Sequence, residues 1–346
     1  MLSKEQDGLA AGTGAAGLRT VAERCRPRPA EGKVKIFILA GQSNMVGMGE
    51  VEGGIGTMNW YVQHQPALYG HLVDKDGRYV VRPDVWVVNL SYTPQQGWLS
   101  IGYGAEGRRV GPEYGFGFVV GDYYEDPVVL IKCAWGGRSL YHHFLPPSTA
   151  AYPPPRKDGD AGFQYAETVR TIKEITGHLK KYFPSYDGQG YAIVGFGWHQ
   201  GWNDRINPAA VDAYERNMTC FIKDMRKDLG IRDLPFVIAN TGMGGWSIPQ
   251  DAPYKARVEK LMDAQLALAD PVQHPEFQGT VAGVETRGFQ RPEEESPSRE
   301  SHHWFRNWAT YYDIGTAMGQ AMVSLVEAQA HSSCCARGDT PPGGAR

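Results

Sequence analysis

The stretch Lys35-Ile-Phe-Ile-Leu-Ala-Gly-Gln-Ser-Asn-Met45 is an apolar run that stops at a glycine and continues into polar residues. A short run of β-forming residues closed by Gly41 predicts a buried strand followed by a tight turn. Similar runs recur at 85–89, 127–134, 192–198, 235–240 and 279–284. Most of them are apolar throughout rather than alternating, which is typical of parallel strands that are covered on both faces.

Helical patterns lie between these strands. Apolar residues recur at helical spacing or in long apolar stretches at 112–123, 162–183, 208–229, 251–269 and 307–328. Alternating strands and helices predict an α/β fold with a doubly wound, mainly parallel sheet. The segments 74–109, apart from its one strand-like run, and 145–157 are predicted to be long excursions, which often shape binding sites in such folds.

Composition limits the class of protein. The 346 residues carry a formal net charge of −3 and no basic stretch, so nucleic acid is not expected as a partner. No apolar run reaches the roughly 18 residues that span a bilayer, so no membrane partner is expected. The five cysteines show neither a disulfide framework nor a metal-binding spacing.

The ends of the chain differ from its middle. We expect one catalytic domain over residues 33–328, with a disordered segment at 1–32 and a disordered polar tail at 329–346. The first 30 residues lack the apolar core of a secretory signal, so the compartment stays open between the cytoplasm and, if the start is misassigned, the outside of the cell. The oligomeric state is left open.

Ser43 is the first candidate for chemistry. It follows a predicted strand end, where ligands collect in open α/β sheets, and its hydroxyl could act as a nucleophile. An equally good interpretation of this serine alone is a helix N-cap.

Two further strand ends carry groups that could stabilise an oxyanion. Gly136 and Gly137 follow one strand and permit a close approach of the backbone to a reacting centre. Gln200 and Asn203 follow another strand, and neutral amides can donate to developing negative charge. Ordinary turns would explain each segment if it stood alone.

A late histidine completes the set. His303 precedes the last predicted helix, and Glu300 lies three residues before it. A nucleophilic serine needs a base, and that base needs an orienting acceptor, so this pair could supply both.

These segments resemble the four signature blocks of SGNH hydrolases. The Gly-Gln-Ser-Asn-Met form at 41–45, with Trp-His-Gln-Gly at 198–201, resembles the branch that contains sialate O-acetylesterases and acetyl xylan esterases of carbohydrate esterase family 6. The resemblance implies a three-layer α/β/α sandwich with Ser43 as nucleophile and His303 as base. It implies oxyanion donors from the Ser43 amide, from Gly136 or Gly137, and from the Asn203 side chain.

Two departures from the family pattern and a second histidine keep alternatives open. The branch often has Gln-Gly-Glu where this chain has Gln200-Gly-Trp202, so Gln200 is a rival to Asn203. The acid is usually Asp, whereas the nearest acid here is Glu300, so a Ser–His dyad or an acid from Glu293-Glu-Glu295 is an alternative. His302 is a rival base.

The resemblance further implies a carbohydrate O-acetylesterase that removes acetyl groups from sugars of the xylan or sialic acid type through an acyl-enzyme, with no cofactor and no metal. The predicted substrate-binding residues are Gln42 and Asn44, on either side of Ser43, together with Trp135 and Trp202. Aromatic faces commonly receive sugar rings, although packing in the core would equally explain the two tryptophans. The alternatives are a general short-chain esterase and a carbohydrate-binding relative that has lost turnover.

Overall fold

A seven-stranded sheet forms the centre of the protein in this computed structural model, which describes residues 28, 30–91, 94–149, 153–242, 244–248, 252 and 254–337. The strands are β1 (Val34–Gly41), β2 (Arg82–Asn89), β3 (Gln95–Leu99), β4 (Val128–Ala134), β5 (Tyr191–His199), β6 (Phe236–Ala239) and β7 (Val281–Val284). Their order is β3-β2-β4-β1-β5-β6-β7. Every neighbouring pair is parallel except β2 and β3, so the predicted mainly parallel sheet is confirmed.

Helices cover both faces of the sheet. They are α1 (Ser43–Val46), α2 (Met58–His64), α3 (Pro66–Tyr69), α4 (Pro112–Tyr123), α5 (Phe163–Gly177), α6 (Leu179–Tyr182), α7 (Pro208–Leu229), α8 (Lys255–Ala267) and α9 (Trp308–Arg337). Helices α4 and α9 share one apolar core, and α5, α7 and α8 share the other. The predicted α/β/α sandwich is therefore confirmed. Over the described residues, no helix is both long enough and apolar enough to cross a bilayer.

Strand β1 lies in the middle and is buried along its whole length. Phe37 and Leu39 enter the core under α4 and α9, whereas Ile36 and Ile38 enter the opposite core. Burial of each such side chain contributes roughly 1.5–3 kcal/mol. Because β1 pairs with both β4 and β5, the segments that follow these three strands meet at one edge of the sheet.

Helix α9 is held tightly against α4. A Cβ atom on Gly315 would lie 2.0 Å from the carbonyl oxygen of Pro112, so only glycine permits this approach of the two helices. The packing matters for the site because the segment before α9 carries His303.

Some elements differ from the prediction. Strand β3 was not predicted and lies in the segment 74–109, which was expected to be mainly an excursion. Gln-Gln-Gly is a poor strand sequence, and the antiparallel pairing with β2 decides its conformation. The helix predicted at 162–183 divides at His178. Helix α9 continues past residue 328 to Arg337. The predicted disorder at 1–32 and 329–346 falls partly on 1–27, 29 and 338–346, which lie outside the described residues.

Candidate active site

The nucleophile candidate lies on a tight turn at the end of β1. A Cβ atom on Gly41 would lie 2.1 Å from the carbonyl oxygen of His199, so the turn requires glycine. Gln42 is the N-cap residue of α1, and Ser43 is its first helical residue rather than its cap. Ser43 is 8% exposed, and among the described residues neither its hydroxyl nor its backbone N–H has a hydrogen-bond partner. Both groups are therefore available to a ligand.

Gln42 links this turn to the segment after β5. Its Oε1 accepts hydrogen bonds from the backbone N–H groups of Gly201 (3.2 Å) and Asn203 (3.0 Å) and from Nε2 of Gln200 (3.3 Å). Gln42 is 2% exposed. Sequence reasoning assigned it to substrate binding, but its carbonyl is engaged inside the protein.

The glycine pair after β4 lies beside the same turn. The backbone N–H of Trp135 donates to the carbonyl of Gly41 over 3.2 Å, which places the next residues near the end of β1. Neither Gly136 nor Gly137 donates its N–H to a described residue, and a Cβ on either would meet open space. Gly137 has a φ of +65°, which suits glycine.

The two amide candidates after β5 have different surroundings. Nε2 of Gln200 contacts the carbonyl of Arg138 (2.8 Å) and Oδ2 of Asp204 (2.6 Å) as well as Gln42, and Gln200 is 1% exposed. Its donors are used inside the protein. Asn203 is half-buried, and its side-chain amide has no partner among the described residues.

Asp204 explains why Gln200 is held so firmly. Its carboxylate also accepts hydrogen bonds from the backbone N–H groups of Leu140 (3.0 Å) and Tyr141 (2.9 Å), so it joins the segments after β4 and β5. Burial raises the pKa of Asp204 to about 6, against the opposing effect of these hydrogen bonds.

The base candidate contacts its acid candidate directly. Nδ1 of His303 lies 2.9 Å from Oε2 of Glu300. Burial lowers the pKa of His303, and the hydrogen bond to Glu300 opposes this change. Partial burial favours a higher pKa for Glu300, but hydrogen bonds and charge from Arg306 and His303 outweigh it and lower that pKa to about 2. A neutral imidazole beside an ionised carboxylate is the state in which histidine can accept a proton.

Asn44 and Tyr311 join the base segment to the nucleophile turn. Nδ2 of Asn44 donates to the carbonyl of His302 over 3.3 Å. The hydroxyl of Tyr311, on α9, lies 2.9 Å from Oδ1 of Asn44 and 3.1 Å from the carbonyl of His303. Asn44 was predicted to bind substrate, but its polar atoms hold these two segments together next to Ser43.

The rival base lies next to His303, with ring centres 4.0 Å apart, but it lacks the contacts of His303. His302 is exposed, and its ring has no carboxylate partner among the described residues. Glu293 pairs with Arg299, and no residue of 293–295 contacts His303.

The two predicted aromatic residues lie half-buried at the site. Trp135 packs against Phe144 at a ring distance of 5.9 Å. The ring of Trp202 lies 6.1 Å from that of His302, and the guanidinium of Arg205 lies 4.0 Å from its centre.

Comparison with known proteins identifies the family. The model of the family described as carbohydrate esterase, sialic acid-specific acetylesterase matches residues 33–290. The chain belongs to this family. The predicted resemblance is thereby confirmed. As a member of this family, the chain is a carbohydrate esterase, an enzyme of the class that hydrolyses acetyl esters. The match ends before Glu300 and His303. No curated protein sequence matches the chain.

Solved structures share the fold of this carbohydrate esterase. A protein from Arabidopsis thaliana is 20% identical with a TM-score of 0.51, and the alignment covers 84% of this chain and 98% of the plant chain. A carbohydrate acetylesterase from Xanthomonas citri is 14% identical with a TM-score of 0.50, covering 84% of this chain and 56% of that one.

One group of side chains in the described residues could hold a metal ion, and it coincides with the base segment. Ligand atoms of Glu300, His302 and His303 lie within 4.8 Å of one another. Arg306 contacts both carboxylate oxygens of Glu300. Because the guanidinium of Arg306 already pairs with this carboxylate, the arrangement suits an acid–histidine pair better than a metal centre.

Several residues of the candidate site gave no signal in the sequence. Arg306 and Glu50 belong to the surroundings of Glu300, and Asp204 and Tyr311 connect the motif segments. Most of their partners are distant along the chain. The exceptions are Gln200, which contacts Asp204, and Glu300, whose contact with Arg306 depends on an unusual backbone conformation.

Proposed function

We propose that this carbohydrate esterase is a serine O-acetylesterase that cleaves acetylated sugars through an acyl-enzyme. The observation that carries the proposal is the contact of His303 with Glu300 on a segment that Asn44 and Tyr311 tie to the turn of Ser43. Ser43, His303 and Glu300 are the three side-chain types that a catalytic triad needs.

In the proposed reaction, His303 takes the proton of the Ser43 hydroxyl as the oxygen attacks the acetyl carbonyl. The tetrahedral intermediate collapses, the C–O bond to the sugar breaks, and the imidazolium returns its proton to the departing sugar oxygen. Water then attacks the acetyl-serine, with His303 as base, and releases acetate and free Ser43. Glu300 keeps the imidazole in the tautomer that presents its other nitrogen to the serine.

The oxyanion of the intermediate needs donors that nothing else occupies. The N–H groups of Ser43 and of Gly136 or Gly137 are unpaired among the described residues, as is the Asn203 amide. We assign the amide role to Asn203 rather than Gln200, because the donors of Gln200 are already used.

The charge near Trp202 favours an acidic sugar over a neutral one. Arg205 has no carboxylate partner among the described residues, and its buried Nε has no hydrogen-bond partner there. Burial and the neighbouring charge of Arg257 lower the pKa of Arg205. A carboxylate would relieve both effects, so we propose a substrate of the sialic acid type rather than xylan.

An acetyl ester assay tests the mechanism. Ser43→Ala and His303→Ala should each lower kcat by about 10³-fold or more, whereas the exposed Ser301→Ala should match the wild type. A fluorophosphonate should transfer its phosphonyl group to Ser43 with loss of fluoride, so a peptide that contains Ser43 should gain the mass of that group. Hydrolysis by Ser43→Ala at the wild-type rate would refute the serine mechanism.

A release assay on acetylated sialic acid, acetylated xylan and a longer acyl ester tests the substrate. Arg205→Ala should raise KM for the acidic sugar and leave KM for the xylan ester unchanged. Equal use of all three esters by the wild type would instead support a general short-chain esterase. Binding without turnover of any ester would support a non-catalytic relative.

A further inference from the structure

The carboxylate of Glu300 is held from two sides. His303 contacts Oε2, while Arg306 approaches the same oxygen with Nε at 3.0 Å and contacts Oε1 with Nη2. This is the forked contact in which a guanidinium fixes the plane of a carboxylate. We propose that Arg306 is a positioning residue that holds Glu300 against Nδ1 of His303, an inference that rests on the proposed serine mechanism.

An unusual backbone makes this contact possible. Trp304, Phe305 and Arg306 have φ values of 52°, 53° and 57°, a left-handed conformation that residues other than glycine rarely adopt. The chain thereby turns back, and the N–H of Phe305 donates to the carbonyl of Glu300 over 3.0 Å. A strained backbone conformation persists only where the surrounding structure holds it in place, and such conformations are common at functional sites.

Glu50 holds Arg306 in turn. Oε1 of Glu50 lies 3.1 Å from Nη1 of Arg306 and 2.9 Å from Nε of the buried Arg109. The N–H of Glu50 also donates to the carbonyl of Arg306 over 3.1 Å. Because Glu50 follows α1, this network connects the chain segment of Ser43 to the segment of the base.

A glutamate at this position needs such support. Its side chain has one more rotatable bond than aspartate, so it can leave the imidazole more easily. Two contacts from Arg306 remove that freedom. The groups that face His303 are Glu300, His302 and Arg306.

The two effects of Arg306 on His303 have opposite signs. Its positive charge lowers the pKa of His303, whereas the hydrogen bond that His303 donates to Glu300, the carboxylate that Arg306 holds in place, raises that pKa. If Arg306 mainly positions Glu300, its removal should act like the loss of Glu300 and lower the apparent pKa of the acid limb of activity. If Arg306 acted only through its charge, its removal should raise that pKa.

A double-mutant cycle on a small aryl acetate tests the proposal. The variants are Arg306→Gly, which suits the positive φ, Glu300→Gln, and the two combined. We expect Arg306→Gly to lower kcat by about tenfold to hundredfold with little change in KM, and to move the acid limb in the same direction as Glu300→Gln. The double variant should be no less active than Glu300→Gln.

Two further variants separate the positioning role of Arg306 from the effect of its charge alone. Arg306→Lys keeps the charge without the fork and should lie between the wild type and Arg306→Gly. The matched control is Arg108→Ala, since Arg108 is exposed and Glu106 is its only ion-pair partner among the described residues. This variant should behave as the wild type.

Additive losses in the double variant would overturn the proposal. So would an acid limb that moves upward, or one that stays fixed while only the melting temperature falls. If Ser43→Ala retained activity, the proposed serine mechanism would fail. If Ser43→Ala were inactive but Arg306→Gly were fully active, only the role proposed for Arg306 would fail.

Discussion

Replacing Lys132 with methionine would test how the sheet supports the nucleophile turn. Lys132 lies on β4 and is completely buried. Its Nζ donates to Oε2 of Glu113 (2.7 Å) and to the carbonyls of Val46 (2.7 Å) and Tyr103 (2.8 Å). Val46 is the last residue of α1, which begins at Ser43, so the substitution removes a charge partner and a support of that turn.

The size of the effect follows from the burial. Glu113 is 0% exposed, and an unpaired buried charge left by removal of its partner costs about 3–5 kcal/mol. With an unfolding entropy of about 2.1 cal/mol/K per residue and roughly 300 ordered residues, this cost lowers the melting temperature by about 5–8 °C. Burial lowers the pKa of Lys132 and the neighbouring Glu113 opposes this change, so the charge of Lys132 depends on Glu113.

Thermal and denaturant unfolding should be measured for Lys132→Met, Glu113→Gln and the double variant. We expect the double variant to recover much of the lost stability, because no buried charge remains and neutral replacements of buried pairs are often tolerated. Its kcat should stay below the wild-type value, since the contact with Val46 is still absent. A Lys132→Met protein within about 1 kcal/mol of the wild type would refute the reasoning on the buried charge.

Three further predictions concern the site. Because burial lowers the pKa of His303 from 6.5, the neutral base persists below that pH, and the acid limb of kcat/KM should have its midpoint below 6.5. Asn203→Ala should lower kcat by about 10²–10³-fold with an unchanged melting temperature. Gln200→Ala should instead lower the melting temperature, because its donors are used inside the protein. Calorimetry and kinetics on both variants check these outcomes. Gly41→Ala forces a Cβ to within 2.1 Å of the carbonyl of His199, so it should destabilise the protein by about 1–3 kcal/mol in denaturant unfolding and reduce activity.

Much of the fold could be predicted because its strands are buried on both faces. Runs such as 127–134 and 192–198 are apolar throughout, and this pattern is enough to indicate parallel strands. Strand β3 could not be found in this way, because its polar residues are ordered by pairing with β2 rather than by their own preference.

The motif segments of the site could be predicted, but the roles of their neighbours could not. Parallel strands bring the segments after β1, β4 and β5 to one edge, so Ser43, Gly136 and Asn203 are placed by topology. Gln42 and Asn44 flank the proposed nucleophile in sequence and were predicted to bind substrate. Their polar atoms instead hold neighbouring segments, and only the three-dimensional arrangement reveals that these atoms are already occupied.

The acid position illustrates why local sequence was insufficient. Glu300 is about 1.5 Å longer than an aspartate would be, and length alone made its assignment weak. The structure shows that the same carboxylate spans Nδ1 of His303 and the fork of Arg306. An aspartate at 300 would be too short to keep both contacts without movement of the backbone. The departure from the usual residue and the left-handed turn at 304–306 are therefore two parts of one arrangement, because the turn brings Arg306 to a carboxylate that only glutamate extends far enough to meet.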